Sequence, residues 1–274
     1  MNSFRLSVLF RKCASPTLSS QQIEQKVCQE IFLGKIASEE SLANLIVLKG
    51  GIVLDGLSNG QRGHTQDIDF DFKRWSLSIA NLNKFIQKLN FAPAYLGISL
   101  AISAIRDLRQ RNYKGKELML SFSDGHDSFA LMVDIGIYRS LSGLVTYEIG
   151  PAKSGSHPLW RIGNEEMLVE KLSSFVIHGS QSTRAKDLFD AAWVITNLKI
   201  NPQKFRSAFG HLLKEIGLFD PLEKAAKRLV QLLGQKEFVQ NLVLSYRGWE
   251  PYGPQESAEI VMAFLKVTFH LITK

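Results

Sequence analysis

The sequence predicts an α+β protein, with an α/β half containing a mixed sheet over residues 1–150 and an α-helical half over residues 151–274. Three observations lead to this prediction. Segments with strand-like patterns occur before about residue 150, and apolar residues at helical spacing dominate after it. Between the two halves, "PAKSGSHP", which starts at residue 151, has the composition of a loop.

Within the first half, the spacing of apolar residues separates strands from helices. Strands are predicted at "NLIVLK" (44–49), "DIDFDF" (67–72), "ISLAISAI" (98–105), "LMLSFS" (118–123) and "FALMVDIGIY" (129–138). Helices are predicted over residues 19–33, 52–57 and 76–89. The first of these helices begins with a capping box, Ser19 with Gln22, and the second follows a turn at Gly50 and Gly51.

The second half contains five segments in which apolar residues recur at helical spacing. They lie near residues 163–178, 183–197, 202–216, 221–233 and 256–272. No internal repeat or long low-complexity tract is present. We therefore expect a helical second domain, residues 151–274, that completes an active-site cleft.

Composition predicts a soluble, cytoplasmic protein. The 274 residues are 45% hydrophobic and 22% charged, and no apolar run approaches the roughly 18 residues that a membrane span needs. The two cysteines, Cys13 and Cys28, are too few for a disulfide framework and suit a reducing compartment. The N-terminus has no acidic residue before Glu24, which we interpret as a basic lead-in to the first helix rather than a transit peptide.

Alternating aspartates are the first candidate site. On the strand predicted at residues 67–72, Asp67, Asp69 and Asp71 share one face, roughly 6.5–7 Å apart, while the apolar residues between them face a core. Asp134 interrupts another apolar strand and needs a partner or a cation there. If that strand lies beside the first, Asp67, Asp69 and Asp134 converge. Like charges about 6 Å apart repel by roughly 2.8 kcal/mol at an effective dielectric of 20.

Such a sheltered cluster favours a divalent cation, and oxygen ligands suit Mg²⁺ or Mn²⁺. The alternative for the "DIDFD" segment alone is an exposed polar face on an amphipathic strand. Gly50 and Gly51, ahead of a short helix, let backbone N–H groups approach phosphate oxygens, and Lys49 adds a cation. No GxxxxGK[ST] or GxGxxG motif is present.

At these residues the chain resembles the nucleotidyltransferase superfamily (DNA polymerase β-like), in which a glycine corner precedes a D-x-D strand and a later third acidic residue. It is most similar to the AbiEii/AbiGii toxin family of type IV toxin–antitoxin systems. The matching stretches are "LKGGIVLDGL" from residue 48, "TQDIDFD" from residue 65 and "EKLSSFVIHGSQSTRAKDLFD" from residue 170.

The resemblance implies a nucleotidyltransferase-type α/β domain and a set of site residues. Asp67, Asp69 and Asp134 would be catalytic metal ligands, with Lys171 and Asp190 as further catalytic residues. The nucleotide-binding residues would be Lys49, Gly50, Gly51, Arg184, Lys186 and Asp187. Helical spacing also allows Lys186 to pair with Asp190, and the alternative for this segment is a solvated helix face with local ion pairs.

The sequence departs from the family pattern at three positions. Ile52 replaces a small hydroxyl residue that many relatives carry, which removes one possible phosphate contact. Arg62 lies one residue further from Asp67 than in the commonest pattern, so no role is assigned to it. His64 is nearby, but a single loop histidine is weak evidence, and we assign it no catalytic role.

The predicted function is Mg²⁺- or Mn²⁺-dependent transfer of a nucleoside monophosphate from a nucleoside triphosphate to an acceptor hydroxyl. The formal net charge of +7 favours an RNA acceptor such as tRNA, while a small molecule or a protein stays open. As a type IV toxin, the protein would have a cognate antitoxin as a partner. The alternatives are a non-catalytic nucleotide-binding protein of the same fold and a nucleic-acid-binding module.

Overall fold

The computed structural model describes residues 4–16, 18–62, 65–108, 115–138, 143–147 and 157–271. His64 and residues 151–156 of the predicted connecting loop lie outside the described residues. The described chain forms two compact units. The first is built from residues within Met1–Gly60, His64–Arg139 and Leu144–Arg161, and the second from residues within Gln61–Gly63, Ser140–Gly143 and Ile162–Lys274.

A mixed sheet is the centre of the first unit, as the sequence predicts. Over the described ranges it has seven strands: β1 Ile46–Lys49, β2 Asp67–Phe72, β3 Ser99–Asp107, β4 Lys116–Ser123, β5 Ser128–Ile137, β6 Leu144–Tyr147 and β7 Leu159–Ile162. Their order across the sheet is β3-β4-β5-β2-β1-β7-β6. Strand β2 runs antiparallel to β1 and parallel to β5, and β4 runs antiparallel to both β3 and β5.

Helices of the first unit are α1 Leu6–Cys13, α2 Ser20–Ala37, α3 Glu40–Ala43, α4 Gly50–Leu57 and α5 Ile79–Phe91. The predicted capping box of α2 is confirmed, because Ser19 and Gln22 exchange side-chain and backbone hydrogen bonds. Helix α2 continues to Ala37, four residues past the predicted end, because the extra turn is buried and burial outweighs the low helix propensity of Gly34. Helix α5 begins at Ile79 because Ser78, rather than Ser76, caps it.

Aromatic residues fill the core beneath the acidic strand. Ile68, Phe70 and Phe72 of β2 are fully buried, and the ring of Phe85 on α5 lies 5.7 Å from Phe70 and 5.1 Å from Phe72. Because alternate residues of a strand point to opposite faces, this packing directs the aspartates of β2 away from the core. Hydrophobic burial on one face therefore determines the orientation of the carboxylates on the other.

The second unit is helical. Its helices are α6 Asn164–His178, α7 Ala185–Asn197, α8 Pro202–Glu215, α9 Leu222–Leu233, α10 Lys236–Val243 and α11 Pro254–Thr268, with a short 3-10 helix at Gly179–Gln181. Phe205, Phe209 and Phe269 pack together with centroids 5.6–6.1 Å apart. These aromatic rings therefore fill the core between the helices.

The elements that the sequence analysis missed are short. Strands β6 and β7 have four residues each, helix α3 has four, and α1 and α10 have eight each, too few for a clear periodicity. Helix α11 begins two residues before its predicted start because proline is tolerated in the first turn of a helix. Among the described helices, none is both long and apolar enough to cross a membrane.

Lys35 is an exception to the apolar character of the core. It lies on α2 with no exposed surface, and its Nζ atom has no hydrogen-bond partner among the described residues. Burial lowers the pKa of its ammonium group from 10.5 to about 8. A buried charged group without a partner destabilises the folded state.

We expect Lys35→Met to stabilise the protein by about 1–3 kcal/mol at pH 7, because it removes an unsatisfied buried cation. Below pH 8 the Lys35 side chain is charged in both the folded and the unfolded wild-type protein, so the full difference in stability between variant and wild type is present. Between about pH 8 and 10.5 only the folded chain loses its proton, so wild-type stability rises and the difference shrinks. Urea denaturation at pH 7 and pH 10 measures both values.

Lys26→Met, at an exposed position of the same helix, is the matched control and should change stability by less than about 0.5 kcal/mol. A Lys35→Met variant less stable than wild type at pH 7 would contradict the interpretation of Lys35 as an unsatisfied cation.

Candidate active site

Three carboxylates from two neighbouring strands come together on the sheet. Asp67 and Asp69 lie on β2, and Asp134 lies on β5, where the parallel pairing places it opposite Asp69. One oxygen from each of the three side chains lies within 4.8 Å of the others. The predicted convergence is confirmed, and we call these three residues the acidic cluster. The catalytic roles of the three residues stay predictions.

The electrostatics of the acidic cluster suit a bound cation. The pKa of Asp134 is raised to about 6 by burial first, and then by the negative charges of Asp67 and Glu117, although Lys49 opposes the shift. Glu117 is the residue opposite Asp134 on β4. Oδ1 of Asp134 is buried and has no hydrogen-bond partner among the described residues. A divalent ion would supply the missing partner and offset the repulsion.

The donor set also fits the expected ions. All three ligands are carboxylates, and hard oxygen donors select Mg²⁺ or Mn²⁺ rather than the softer transition metals. Asp67, Asp69 and Asp134 are each partly exposed, so a cation with its remaining water ligands could reach them. The arrangement is therefore that of a candidate divalent-metal centre.

Asp71, the third aspartate of β2, has a different role. Its Oδ1 atom lies 2.7 Å from Nζ of Lys49 at the end of β1, and both side chains are almost completely buried. Asp71 thus pairs with a cation from the protein itself, and the same Lys49 also opposes the raised pKa of Asp134 in the acidic cluster. In this structure the ammonium of Lys49, predicted to bind nucleotide, is engaged with Asp71.

The glycine corner lies directly against the acidic cluster. Gly50 has a φ of +68°, a conformation that L residues with side chains rarely adopt. A Cβ atom at Gly50 would also overlap Oδ2 of Asp69. Glycine is therefore required here for both conformation and space, and helix α4 begins at this residue. The corner therefore places the backbone of Gly50 beside the carboxylate of Asp69, and the nucleotide-binding roles of Gly50 and Gly51 stay predictions.

A second group of charged residues lies within the helical unit. Arg62 donates two hydrogen bonds of 2.8 Å to the two carboxylate oxygens of Asp190 on α7. Nζ of Lys171 on α6 lies 3.0 Å from Asp190 Oδ2 and 3.4 Å from Asp187 Oδ1. Two cations and two anions thus form a network of zero net charge. We call these four residues the Arg62–Asp190 network.

Ionisation of this network is stabilised by its own members. Burial alone would raise the pKa of Asp190, but Lys171 and the hydrogen-bonding Arg62 together hold that pKa below its ordinary value. Burial alone would lower the pKa of Lys171, but Asp190 and Asp187 raise it above its ordinary value. Asp190 and Lys171 are therefore both charged at neutral pH, and each stabilises the charge of the other.

Arg62 is the member of this network that the sequence analysis missed. It lies one residue further from Asp67 than the family pattern suggests, and the sequence analysis assigns it no role. A loop can absorb one extra residue without moving a long side chain out of reach, so the usable signal is the presence of an arginine upstream of the D-x-D strand. Arg62 and Lys171 both contact Asp190, and the pairing of Lys186 with Asp190 stays a prediction.

The other predicted residues of the second unit lie at the start of α7. Arg184 is the N-cap residue and is exposed, while Lys186 and Asp187 are half-buried in the first turn. Asp187 contacts Lys171 as described above. The nucleotide-binding roles of Arg184 and Lys186 stay predictions.

Comparison with known families decides the identity. The family model described as "Nucleotidyl transferase AbiEii toxin, Type IV TA system" matches residues 31–248. The chain belongs to the AbiEii family. The match includes the acidic cluster, the glycine corner and the Arg62–Asp190 network. The AbiEii assignment makes the protein a nucleotidyltransferase toxin, as its motifs predict.

Solved structures agree with the AbiEii fold. A candidate nucleotidyltransferase from H. pylori has a TM-score of 0.54 and 15% sequence identity, over 92% of this chain and 96% of that one. JHP933 from Helicobacter pylori has a TM-score of 0.51 and 15% identity, over 93% and 94% of the two chains. At this identity the likeness shows the fold alone. None of the curated proteins compared with this chain matches it.

We expect Asp134→Asn to stabilise the metal-free protein at pH 8, because it removes a charge that Asp67 and Glu117 repel. The raised pKa means that the folded wild type regains a proton as the pH falls through about 6, so the advantage of the variant shrinks towards pH 4. Melting temperatures in EDTA across this range measure the effect.

Asp107→Asn, on the exposed end of β3, is the control and should leave the melting temperature nearly unchanged at every pH. The opposite result, a metal-free Asp134→Asn protein that is less stable than wild type at pH 8, would show that Asp134 is already compensated.

We expect Asp190→Asn to destabilise the protein by about 3–5 kcal/mol, because it removes the buried carboxylate that Arg62 and Lys171 share. Since the pKa of Asp190 is below its ordinary value of 3.8, the wild-type advantage is present above about pH 4 and is lost only at lower pH. Urea denaturation followed by tryptophan fluorescence measures the change.

Asp220→Asn is the matched control, because Asp220 also pairs with two cations, Lys224 and Arg228, but both of these cations are exposed. Its loss should leave the free energy of unfolding nearly unchanged. Equal effects of the two substitutions would contradict the assignment of the Arg62–Asp190 network as a buried, mutually dependent unit.

Proposed function

We propose that this nucleotidyltransferase binds Mg²⁺ or Mn²⁺ at Asp67, Asp69 and Asp134 and transfers a nucleoside monophosphate from a nucleoside triphosphate to an acceptor hydroxyl. The observation that carries this proposal is the acidic cluster, in which three carboxylates converge and one buried oxygen has no partner among the described residues. Such an arrangement is costly unless a cation compensates it.

Divalent ions at this position supply charge stabilisation for the α-phosphate and lower the pKa of the acceptor hydroxyl. Asp67 and Asp69 hold their oxygens in place from a rigid central strand, whose other face is locked in the core. Asp134 has a buried carboxylate oxygen and a raised pKa, and it is the residue that we assign to accept the proton of the acceptor hydroxyl. Its position opposite Asp69 places it within the same cluster.

Nucleotide binding is assigned to the glycine corner and to cations of the helical unit. Gly50 and Gly51 have no side chains of their own, so their backbone N–H groups are the ones that we assign to phosphate. We also assign Lys171, Arg184 and Lys186 to neutralise the negative charge of the triphosphate and of the leaving pyrophosphate. Asp190 acts on Lys171, because it contacts the ammonium group and raises its pKa.

The acceptor that we propose is RNA, with tRNA as the first candidate. The formal net charge of +7 favours a polyanionic partner. A small molecule or a protein with a free hydroxyl is the alternative acceptor. As a type IV toxin in the cytoplasm, the protein would act on cellular RNA and would be opposed by a cognate antitoxin.

We expect the protein, incubated with each α-labelled nucleoside triphosphate, Mg²⁺ and total RNA, to label one RNA class with one preferred nucleotide. Asp69→Asn should reduce labelling by more than about 100-fold, because several kcal/mol of transition-state stabilisation depend on the metal site. The same substitution should relieve the growth arrest caused by expression of the toxin alone.

Asp107→Asn is the control for this experiment and should label RNA at the wild-type rate, since Asp107 lies outside both charged clusters. Full activity of Asp69→Asn would refute the metal-dependent scheme. Binding of all four nucleotides without transfer to RNA, protein or small-molecule acceptors would instead indicate a non-catalytic nucleotide-binding protein.

A further inference from the structure

Two hydrogen bonds connect helix α2 to the acidic cluster. The hydroxyl of Thr65 donates to Oδ1 of Asp67 over 3.3 Å. The side-chain amide of Gln29 on α2 donates to the backbone carbonyl of Thr65 over 2.8 Å. Thr65 and Gln29 are both buried, at 3% and 6% exposure. Gln29 lies outside the motifs that identified the site, and Thr65 is the first residue of the "TQDIDFD" stretch, to which the sequence analysis assigns no role.

The hydrogen bond from Gln29 to the carbonyl of Thr65 restricts the direction of the hydrogen bond from the Thr65 hydroxyl to Asp67. A buried backbone carbonyl needs a hydrogen-bond donor, and Gln29 supplies it from a residue 36 positions away in the chain. Threonine is β-branched, so its χ1 angle has few allowed values once the backbone is fixed. Holding the carbonyl of Thr65 therefore also restricts the direction of its hydroxyl.

The hydrogen bond from the Thr65 hydroxyl acts on Asp67, which is assigned to hold the metal. The final torsion of an aspartate side chain is broad, so a free carboxylate samples many orientations. A fixed hydroxyl donor on one oxygen narrows this range before any cation arrives. A ligand ordered in advance loses less conformational entropy on binding, and hydrogen-bond partners of metal ligands commonly affect metal affinity by about 10–100-fold.

We propose that Thr65 is a positioning residue for Asp67, and that Gln29 acts through Thr65, so that together they set the affinity of the acidic cluster for its divalent cation. This inference rests on the proposed function, since it needs the cluster to bind a metal. It adds to that function a connection between the first long helix of the chain and the metal site.

The direct test compares Thr65→Val, which keeps the shape but lacks the hydroxyl, with Thr65→Ser, which keeps the hydroxyl. Isothermal titration of Mn²⁺ into the nucleotide-free protein should give a dissociation constant about tenfold weaker for Thr65→Val. Thr65→Ser should stay within about threefold of wild type. At saturating Mg²⁺ the kcat of Thr65→Val should recover most of its value, because the defect lies in metal binding.

Thr196→Val is the matched control. The Thr196 hydroxyl also makes a local hydrogen bond, to the carbonyl of Ala192 on α7, outside the metal site. Its loss should leave Mn²⁺ binding unchanged. A lower melting temperature for Thr65→Val with an unchanged Mn²⁺ dissociation constant would overturn the proposal and leave Thr65 a purely structural role.

Gln29→Met provides a second route if Thr65→Val does not fold, because Gln29 does not itself contact the acidic cluster. It should weaken Mn²⁺ binding in the same direction. If Gln29 acts through Thr65, the double variant should bind Mn²⁺ no more weakly than Thr65→Val alone, whereas multiplicative effects would show that the two residues act independently.

The outcomes for the wild-type protein separate this inference from the proposed function. If the wild type neither binds Mn²⁺ nor transfers nucleotide, the proposed function fails. If the wild type does both and Thr65→Val binds Mn²⁺ equally well, only the positioning role of Thr65 and Gln29 fails.

Discussion

The parallel pairing of β2 with β5 is the constraint on which the candidate site depends. It places Asp134 beside Asp69, and it is maintained by the apolar residues on the opposite face of the same strands, among them Phe70, Phe72 and Val133, which have no exposed surface. Hydrophobic burial thus supplies the free energy that holds three mutually repelling carboxylates together. The site exists because the core is strong enough to maintain it.

The two units treat buried charge in opposite ways. In the helical unit, Arg62 and Lys171 compensate Asp187 and Asp190, so the network stabilises its own ionisation. In the acidic cluster the charges have the same sign, and the raised pKa of Asp134 records the resulting cost. Repulsion between like charges of this kind is characteristic of sites that bind a ligand of opposite charge, where stability is given up for function.

A second property of the site is that other residues of the protein approach the acidic cluster closely. Gly50 lies so near the carboxylate of Asp69 that no side chain fits, and Thr65 reaches Asp67 with the shortest hydroxyl-bearing side chain that also restricts χ1. Small or stiff residues thus surround the acidic cluster on its protein side. The remaining sides are left to solvent, metal ions and substrate, as the partial exposure of the three aspartates requires.

The sequence by itself determined the fold class, most element positions and the members of the acidic cluster. Alternation in "DIDFDF" shows which face is buried, a capping box shows where α2 begins, and motif spacing indicates the family. Only the tertiary structure decided that β5 is the neighbour of β2, that Asp71 pairs with Lys49, and that Arg62 reaches Asp190, 128 residues away. The physical reason is that periodicity reports local burial, whereas strand neighbours and ion-pair partners are selected by the packing of segments far apart in the chain.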